Sequence, residues 1–584
     1  MTPSVPGSST ERKLEQLRSE RRRLLGLSPE STLEAILSAP EPTPLVHSFT
    51  EQDLYFLIHD IGPEDAQPLV AMASEKQLDF ILDQEIWDKD RFDLSAAVRW
   101  FEVMIRADPP RLIPWLIKNH LPTVELFLFK SLEFRIREHD QDPSELGEGF
   151  FSFDNTFYMR FTPPPSEEDG TDQRRQRHFD SLSTLLKQMA ETDYLRFQSL
   201  ILESSAQIPA ECEEEAYRLR NVRLGERGFL PFEEAVGIYQ PLRIDQLRPR
   251  SQGRAPHQND TTPQNRVPIS LSMTVDAESV FEKALEQVES PRHVDELRLE
   301  LAALSNRMAV ADLTPIQSRS DLRPIVRKVC GYLSIGLEHL ASRSGHPSHP
   351  LTADASRWLS TYGLNDIFRL GYAQALTVKW KADRWLPESW FARMKLPISF
   401  WGETWMGVLG GLLIKRPRFC DHYRSGTLYR EFETLAEIED VATELNRIQE
   451  MDRLLSFMGI TSLERKEDLF LTYRNLLLTL WARHELGLSD NAVPIAISRF
   501  RPFFEELFPG QPSSGEAIGR SPAPEMKNRM LNWLVEQTGR SAEAIGKAVG
   551  DSLEALFQEL GNEYGSVPVG RLEPRFVHLF LLKT

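Results

Sequence analysis

The sequence predicts a mainly α protein: stacked helical hairpins in two lobes, with a small β-hairpin or sheet element. Three observations predict it. Apolar residues recur at helical spacing through most of the chain. Capping residues, glycines and prolines punctuate that pattern at short intervals, so the helices are short and must stack to bury their faces. One segment, FFSFDNTFYMRF (Phe150 to Phe161), alternates instead around Asp154-Asn155, a two-residue turn able to take positive φ.

Residues 1–45 read as a charged, solvated helix and a linker. Their opening, MTPSVPGSSTERKLEQLRSERRRLL, has no apolar core and is not expected to be a secretory signal. Residues 46–247 read as a helical domain with the hairpin near 150–161. Within it, SEKQLDFIL opens with Ser74 and has Gln77 three residues on, a capping box. DLSAAVRWFEVMIRADP sets Leu94, Ala97, Val98, Phe101, Met104 and Ile105 on one stripe, behind Asp93 as cap. Pro63, Pro109 and Pro122 suit first-turn positions. The helix from 121 is expected to end near Arg137, where a run of acids leads into the hairpin.

Residues 248–266, RPRSQGRAPHQNDTTPQNR, read as a disordered linker, and 267–584 as a second helical domain. Residues 162–178 and 509–525 share the linker's composition and read as loops. VPISLSMTV (267–275) and RFVHLFLL (575–582) are strand candidates. SFWGETWMGVLGGLLI (399–414) is shorter than a membrane span and carries Glu403, so it reads as a buried helix. Five tryptophans between Trp380 and Trp405 read as core, with a partner groove as the alternative.

The chain has 584 residues, 41% of them hydrophobic and 26% charged, and a formal net charge of −18. Such an acidic chain is not expected to bind nucleic acid, which needs clustered Lys and Arg. Cys212, Cys330 and Cys420 lie far apart, make no zinc spacing and read as idle thiols in a cytoplasmic setting. There is no Walker A, no G-x-G-x-x-G after a strand, no G-x-S-x-G and no H-E-x-x-H.

Three resemblances follow from quoted segments. LYFLIHDIGPEDAQPLVAMASEKQLDFIL resembles the helical cytosolic domain of magnesium-gated transporters, which covers residues 50–137 and implies a helical fold without transport. RIREHDQDPSELGEGFFSFDNTFYMRF, RLRNVRLGERGF and the terminal EPRFVHLFLL together resemble an uncharacterised bacterial family, a domain of unknown function running nearly the full length. LIHDIG looks like the central pair of HD-type phosphohydrolases, whose histidines and aspartates hold divalent metal. The only upstream histidine here, His47, is too near to supply the first ligand from a separate helix, and Pro63 stands where that family has lysine.

Two sets of residues are candidates for chemistry. His59, Asp60, His139, Asp140 and Asp142 offer imidazole and carboxylate to a divalent cation, magnesium or manganese. An EF-hand from Asp140 is excluded, because Glu145 and Phe151 stand where glycine and glutamate are needed. Alternatively Arg135, Arg137, Glu138, His139, Asp140 and Asp142, with Arg218, Arg220 and Arg223, form a ligand site or a structural charge network. His346 and His349 read as part of a surface loop.

These observations identify no substrate. They favour a non-catalytic cytosolic helical interaction or regulatory protein, repeat-like, with protein partners and no membrane span. The alternative is a metal-dependent phosphoester hydrolase built on the His-Asp and carboxylate site.

Overall fold

The computed structural model describes residues 9–162, 172–204, 209–250, 279–344, 351–460, 470–489, 494–510 and 520–584. It is mainly helical, with sheets of only two or three strands. Two compact units can be distinguished. One comprises Met1–Leu333 with Ser344–Arg369, the other Ser334–Arg343 with Leu370–Thr584.

The first unit opens with α1 (Ser9–Leu24), α2 (Pro29–Leu37), α3 (Pro42–Ser48), α4 (Glu51–Ile61), α5 (Gln67–Met72) and α6 (Glu75–Glu85). A short ribbon, β1 (Trp87–Asp88) and β2 (Arg91–Phe92), leads to α7 (Leu94–Ala107), α8 (Pro109–Asn119) and α9 (Leu121–Ser131). Local chemistry sets these boundaries. Thr50 Oγ1 accepts from Asp53 N at 3.1 Å to start α4, and Ser74 N donates to Gln77 Oε1 at 2.8 Å to start α6. Asp93 Oδ1 caps α7 through Ala96 N at 3.0 Å. Ala97, Val98, Phe101, Met104 and Ile105 are all buried, which the apolar stripe of α7 requires. α4 packs on α6 and α5 on α7.

Then β3 (Leu132–Ile136), β4 (Phe151–Ser152) and β5 (Phe157–Phe161) form an antiparallel sheet with β5 central. α10 (Asp172–Thr192), α11 (Tyr194–Ser204), α12 (Pro209–Gly225), α13 (Phe232–Ala235), α14 (Val280–Glu286) and α15 (Pro291–Asp312) complete most of this unit. Gly228, at φ +85°, lets the chain turn directly against α15: a Cβ there would meet Ala303 Cα at 2.6 Å.

α16 (Arg319–Ser344), α17 (Leu351–Thr361) and α18 (Leu364–Glu388) follow. The second unit continues with α19 (Trp390–Arg393), α20 (Gly402–Leu413), the hairpin β6 (Phe419–Cys420) and β7 (Tyr429–Arg430), α21 (Leu435–Phe457) and α22 (Tyr473–Glu485). Its end holds β8 (Ile495–Ala496), α23 (Ile497–Leu507), α24 (Pro524–Thr538), α25 (Ala542–Tyr564) and β9 (Leu582–Lys583), which pairs in parallel with β8. Trp390, Trp401 and Trp405 are buried, and Trp405 stacks on Tyr473 at 4.5 Å. Asp452 accepts hydrogen bonds from the backbone N–H of Trp390 and Phe391 and from Trp385 Nε1. Trp380 stands apart, exposed.

Several local expectations need correction. The helix from 121 stops at Ser131, because Leu132–Ile136 pairs residue for residue with Phe157–Phe161. The hairpin turn is longer than two residues: Ser152 pairs with Tyr158, and only Asn155 within the loop has positive φ, 58°. Pro63 lies in the turn between α4 and α5 and not in a helix. Residues 172–178 are helical, and in RFVHLFLL only Leu582 is in a strand, after a turn at Pro574–Phe576. The unit division does not fall at 248–266. α15, beyond that stretch, docks on residues of the earlier segment, where Arg307 Nη2 donates to Glu234 O at 2.9 Å. Residues 251–266, 267–275, His346 and His349 lie outside the described residues.

Candidate functional site

The site begins with helical spacing. Tyr55 and His59 are four residues apart on α4 and share one face, their rings edge-on at 4.6 Å. α6 packs alongside α4 and brings its last residue, Glu85, to both of them. α7 adds Trp100, whose ring lies 5.9 Å from that of His59. Glu85 therefore accepts three hydrogen bonds: from Tyr55 Oη at 2.5 Å, Trp100 Nε1 at 2.8 Å and His59 Nε2 at 3.0 Å.

Burial alone would raise the pKa of Glu85. The hydrogen bonds from His59, Tyr55 and Trp100, with the charge of His59, outweigh it and hold the carboxyl below its ordinary value. Burial and the neighbouring Glu85 push the Tyr55 hydroxyl well above its ordinary value, so it stays a donor. An ionised carboxylate only accepts, so His59 donates to it through Nε2–H. His59 is 16% exposed and Glu85 7%.

His59, Glu85 and Trp100 form one wall of a cavity of about 320 Å³. Trp100, Val103 and Pro63 give it apolar surface, and Gln67 and Gln317 give neutral polar groups. Its charged rim carries Glu64, Arg99, Glu102 and Arg106. Arg106 Nη1 pairs with Glu102 at 3.4 Å. Among the described residues, Arg99 and Glu64 have no ion-pair or hydrogen-bond partner for their side chains.

The other expected site residues go elsewhere. Asp60, next to His59, faces Arg319 at 3.6 Å, and burial raises its pKa against that charge. His139 and Asp140 are fully exposed and contact each other at 3.1 Å. Asp142 accepts from Ser144 N and Oγ at the start of a short turn of 3₁₀ helix. The side chain of Arg137 donates to Gln141 O, and Glu138 N donates to Gln141 Oε1. Arg160, opposite Glu133 in the β3–β5 register, and Arg135, two residues along β3, both pair with Glu133 and not with Asp140 or Asp142. Among the described residues, no group of three or more His, Cys, Asp or Glu side chains is placed to hold a metal ion.

The arginine cluster separates as well. Arg218 pairs with Glu215 on the exposed face of α12. Arg223 and Arg220 instead reach the end of α6, where Arg223 pairs with the Asp83 carboxylate and Arg220 Nε donates to Asp83 O at 2.7 Å. This is a structural joint between α12 and α6. Beside it, Lys76, Asp79, Arg223, Arg227, Ala303 and Asn306 border a groove of about 790 Å³.

Sequence reasoning reached His59 and missed Glu85, Tyr55 and Trp100. A weak signal existed: Glu85 is four residues from the buried Ile81, at a position the apolar stripe of α6 turns toward the core. No helix among the described residues is long and apolar enough to cross a membrane. Neither a curated protein nor a solved structure matches this chain. The model of the Family of unknown function (DUF6178) matches residues 8–583, and so the chain, over nearly its whole length, belongs to that family.

Proposed function

We propose that the protein acts by binding and not by catalysis: it is a helical interaction or regulatory protein whose recognition site is the cavity at His59 and Glu85. The observation that carries this reading is the saturation of Glu85. Three donors from three residues hold one carboxylate, so the wall of the cavity is rigid before any ligand arrives. Preorganised walls with a few fixed polar groups are what small-molecule recognition requires. The cavity volume lies at the small end of the range for such sites, about 300–1,000 Å³.

The alternative, metal-dependent phosphoester hydrolysis, draws on His59 and Asp60. Those two side chains turn to different partners, Glu85 and Arg319, which weighs for the binding reading.

The test is retention from a metabolite extract. The full chain is incubated with desalted extract from the native host, washed and denatured, and the released compounds are identified by mass spectrometry. A compound enriched on the wild type and absent from Val103→Trp, which fills the cavity, supports the reading. No such compound, or recovery of a compound that the wild type converts over time, overturns it.

A further inference from the structure

The charges around the cavity divide into those already satisfied and those left over. Glu85 is satisfied by three donors, so its charge is spent within the wall. Arg106 and Glu102 satisfy each other. What is left over is one cation and one anion: Arg99 on α7 and Glu64 in the turn after α4, both lining the cavity. Both are exposed.

A simple anion attracted to Arg99 would also meet Glu64, and a simple cation attracted to Glu64 would meet Arg99. Each would leave one like charge facing it across a small space, which disfavours binding. A molecule carrying both charges satisfies both residues. Arginine's planar fork suits a carboxylate, and a glutamate suits an ammonium. Between them, Trp100, Val103 and Pro63 offer apolar surface for a side chain, and an indole wall favours an apolar or aromatic one. The 320 Å³ volume holds a small molecule and excludes a folded partner segment.

We infer that the cavity takes a small zwitterion, a free α-amino acid, with its carboxylate on Arg99, its ammonium on Glu64 and its side chain against Trp100 and Val103. This rests on the binding reading above and names the ligand class for it. The imidazole of His59 and the amides of Gln67 and Gln317 are the polar groups available beside the charged pair.

The experiment uses the full chain and the proteinogenic L-amino acids one at a time, at concentrations on the order of 10 mM, with thermal melting as the first readout. The best binder is then compared by calorimetry with its decarboxylated amine and its deaminated acid. The expected result is stabilisation by at least one amino acid, with both analogues binding at least about tenfold more weakly. Arg99→Gln should abolish the preference over the amine, and Glu64→Gln the preference over the acid. Both variants should melt like wild type without ligand, because both side chains are exposed and make no bond to lose. Stabilisation by no amino acid, or equal binding of the analogues, overturns the zwitterion. If the metabolite extract then yields a different compound that Val103→Trp loses, the zwitterion falls and the binding reading stands. If the extract also yields nothing, both fall.

Discussion

Arg223 grips Asp83 through two contacts, Nε to Oδ2 at 2.8 Å and Nη2 to Oδ1 at 2.6 Å, and so joins α12 to the end of α6 across 140 residues of sequence. The Asp83 carboxylate is 1% exposed and Arg223 23%. Burial works to lower the pKa of Arg223, but the hydrogen bonds and charge of the Asp83 carboxylate more than reverse it, so the arginine keeps its charge. Asp83→Ala leaves the half-buried arginine without its partner and should cost about 3 kcal/mol in chemical denaturation. Asp83→Leu combined with Arg223→Met should recover most of that loss. A single variant that denatures within about 1 kcal/mol of wild type would refute the joint.

The second prediction concerns acid. Glu85 has a folded pKa below its unfolded value, so it contributes stability above the unfolded value, near pH ~4.3, and loses it as pH falls through the folded one. Wild type should therefore lose stability more steeply than Glu85→Gln as pH drops below ~4.3. At pH 7 the order is reversed in the wild type's favour. Parallel curves for the two proteins would show that His59, Tyr55 and Trp100 do not act on a charged carboxylate.

The charged stretch before the hairpin makes a third case. Asp140 lies in solvent and, among the described residues, its side chain contacts only His139, at 3.1 Å, so Asp140→Ala should melt like wild type. Asp142→Ala should melt slightly lower, since it loses the acceptor for Ser144 N. Chelator, magnesium and manganese should leave all three curves in place. A rise with either metal in the wild type alone would revive the cation site at His139, Asp140 and Asp142.

In the second unit, Asp452 carries the turn from α18 into α19. Its carboxylate takes the N–H groups of Trp390 and Phe391 at 3.1 and 2.9 Å. Asp452→Ala leaves those buried donors unpaired and should cost at least about 2 kcal/mol. Tryptophan fluorescence reads this directly, because Trp385 and the buried Trp390 both bond to that carboxylate. An unchanged unfolding transition in that signal would count against the assignment.

How much of this was legible in the sequence follows from the range of each interaction. The stripe of α7 and the box at Ser74 and Gln77 are local, and local spacing predicts them. Leu132, Phe134 and Ile136 show why a local pattern can still mislead: they alternate at the end of an apolar helix, and the period of two is brief enough to be absorbed into the helix before it. Only pairing with Phe157–Phe161 makes it a strand. Tyr55 and His59 are legible as one face. Glu85 is not, because its role arises when α4, α6 and α7 come together. The arginines of α12 were visible as a cluster, but no spacing rule could separate Arg218, which stays in solvent, from Arg223, which crosses to Asp83.

The close approach of Gly228 to Ala303 has a consequence for how this chain can change. The separation between the turn and α15 is set by atoms that neither residue possesses: one more carbon at position 228 would need the space of Ala303 Cα, 2.6 Å away. Position 228 cannot take a side chain while Ala303 keeps its place. Arg227, next to Gly228, and Asn306, one helical turn beyond Ala303, line the large groove together with Ala303 itself. The gauge of that groove is thus held at this edge by the contact of Gly228 with Ala303, and changes in the other residues lining it can alter its chemistry without altering its width there.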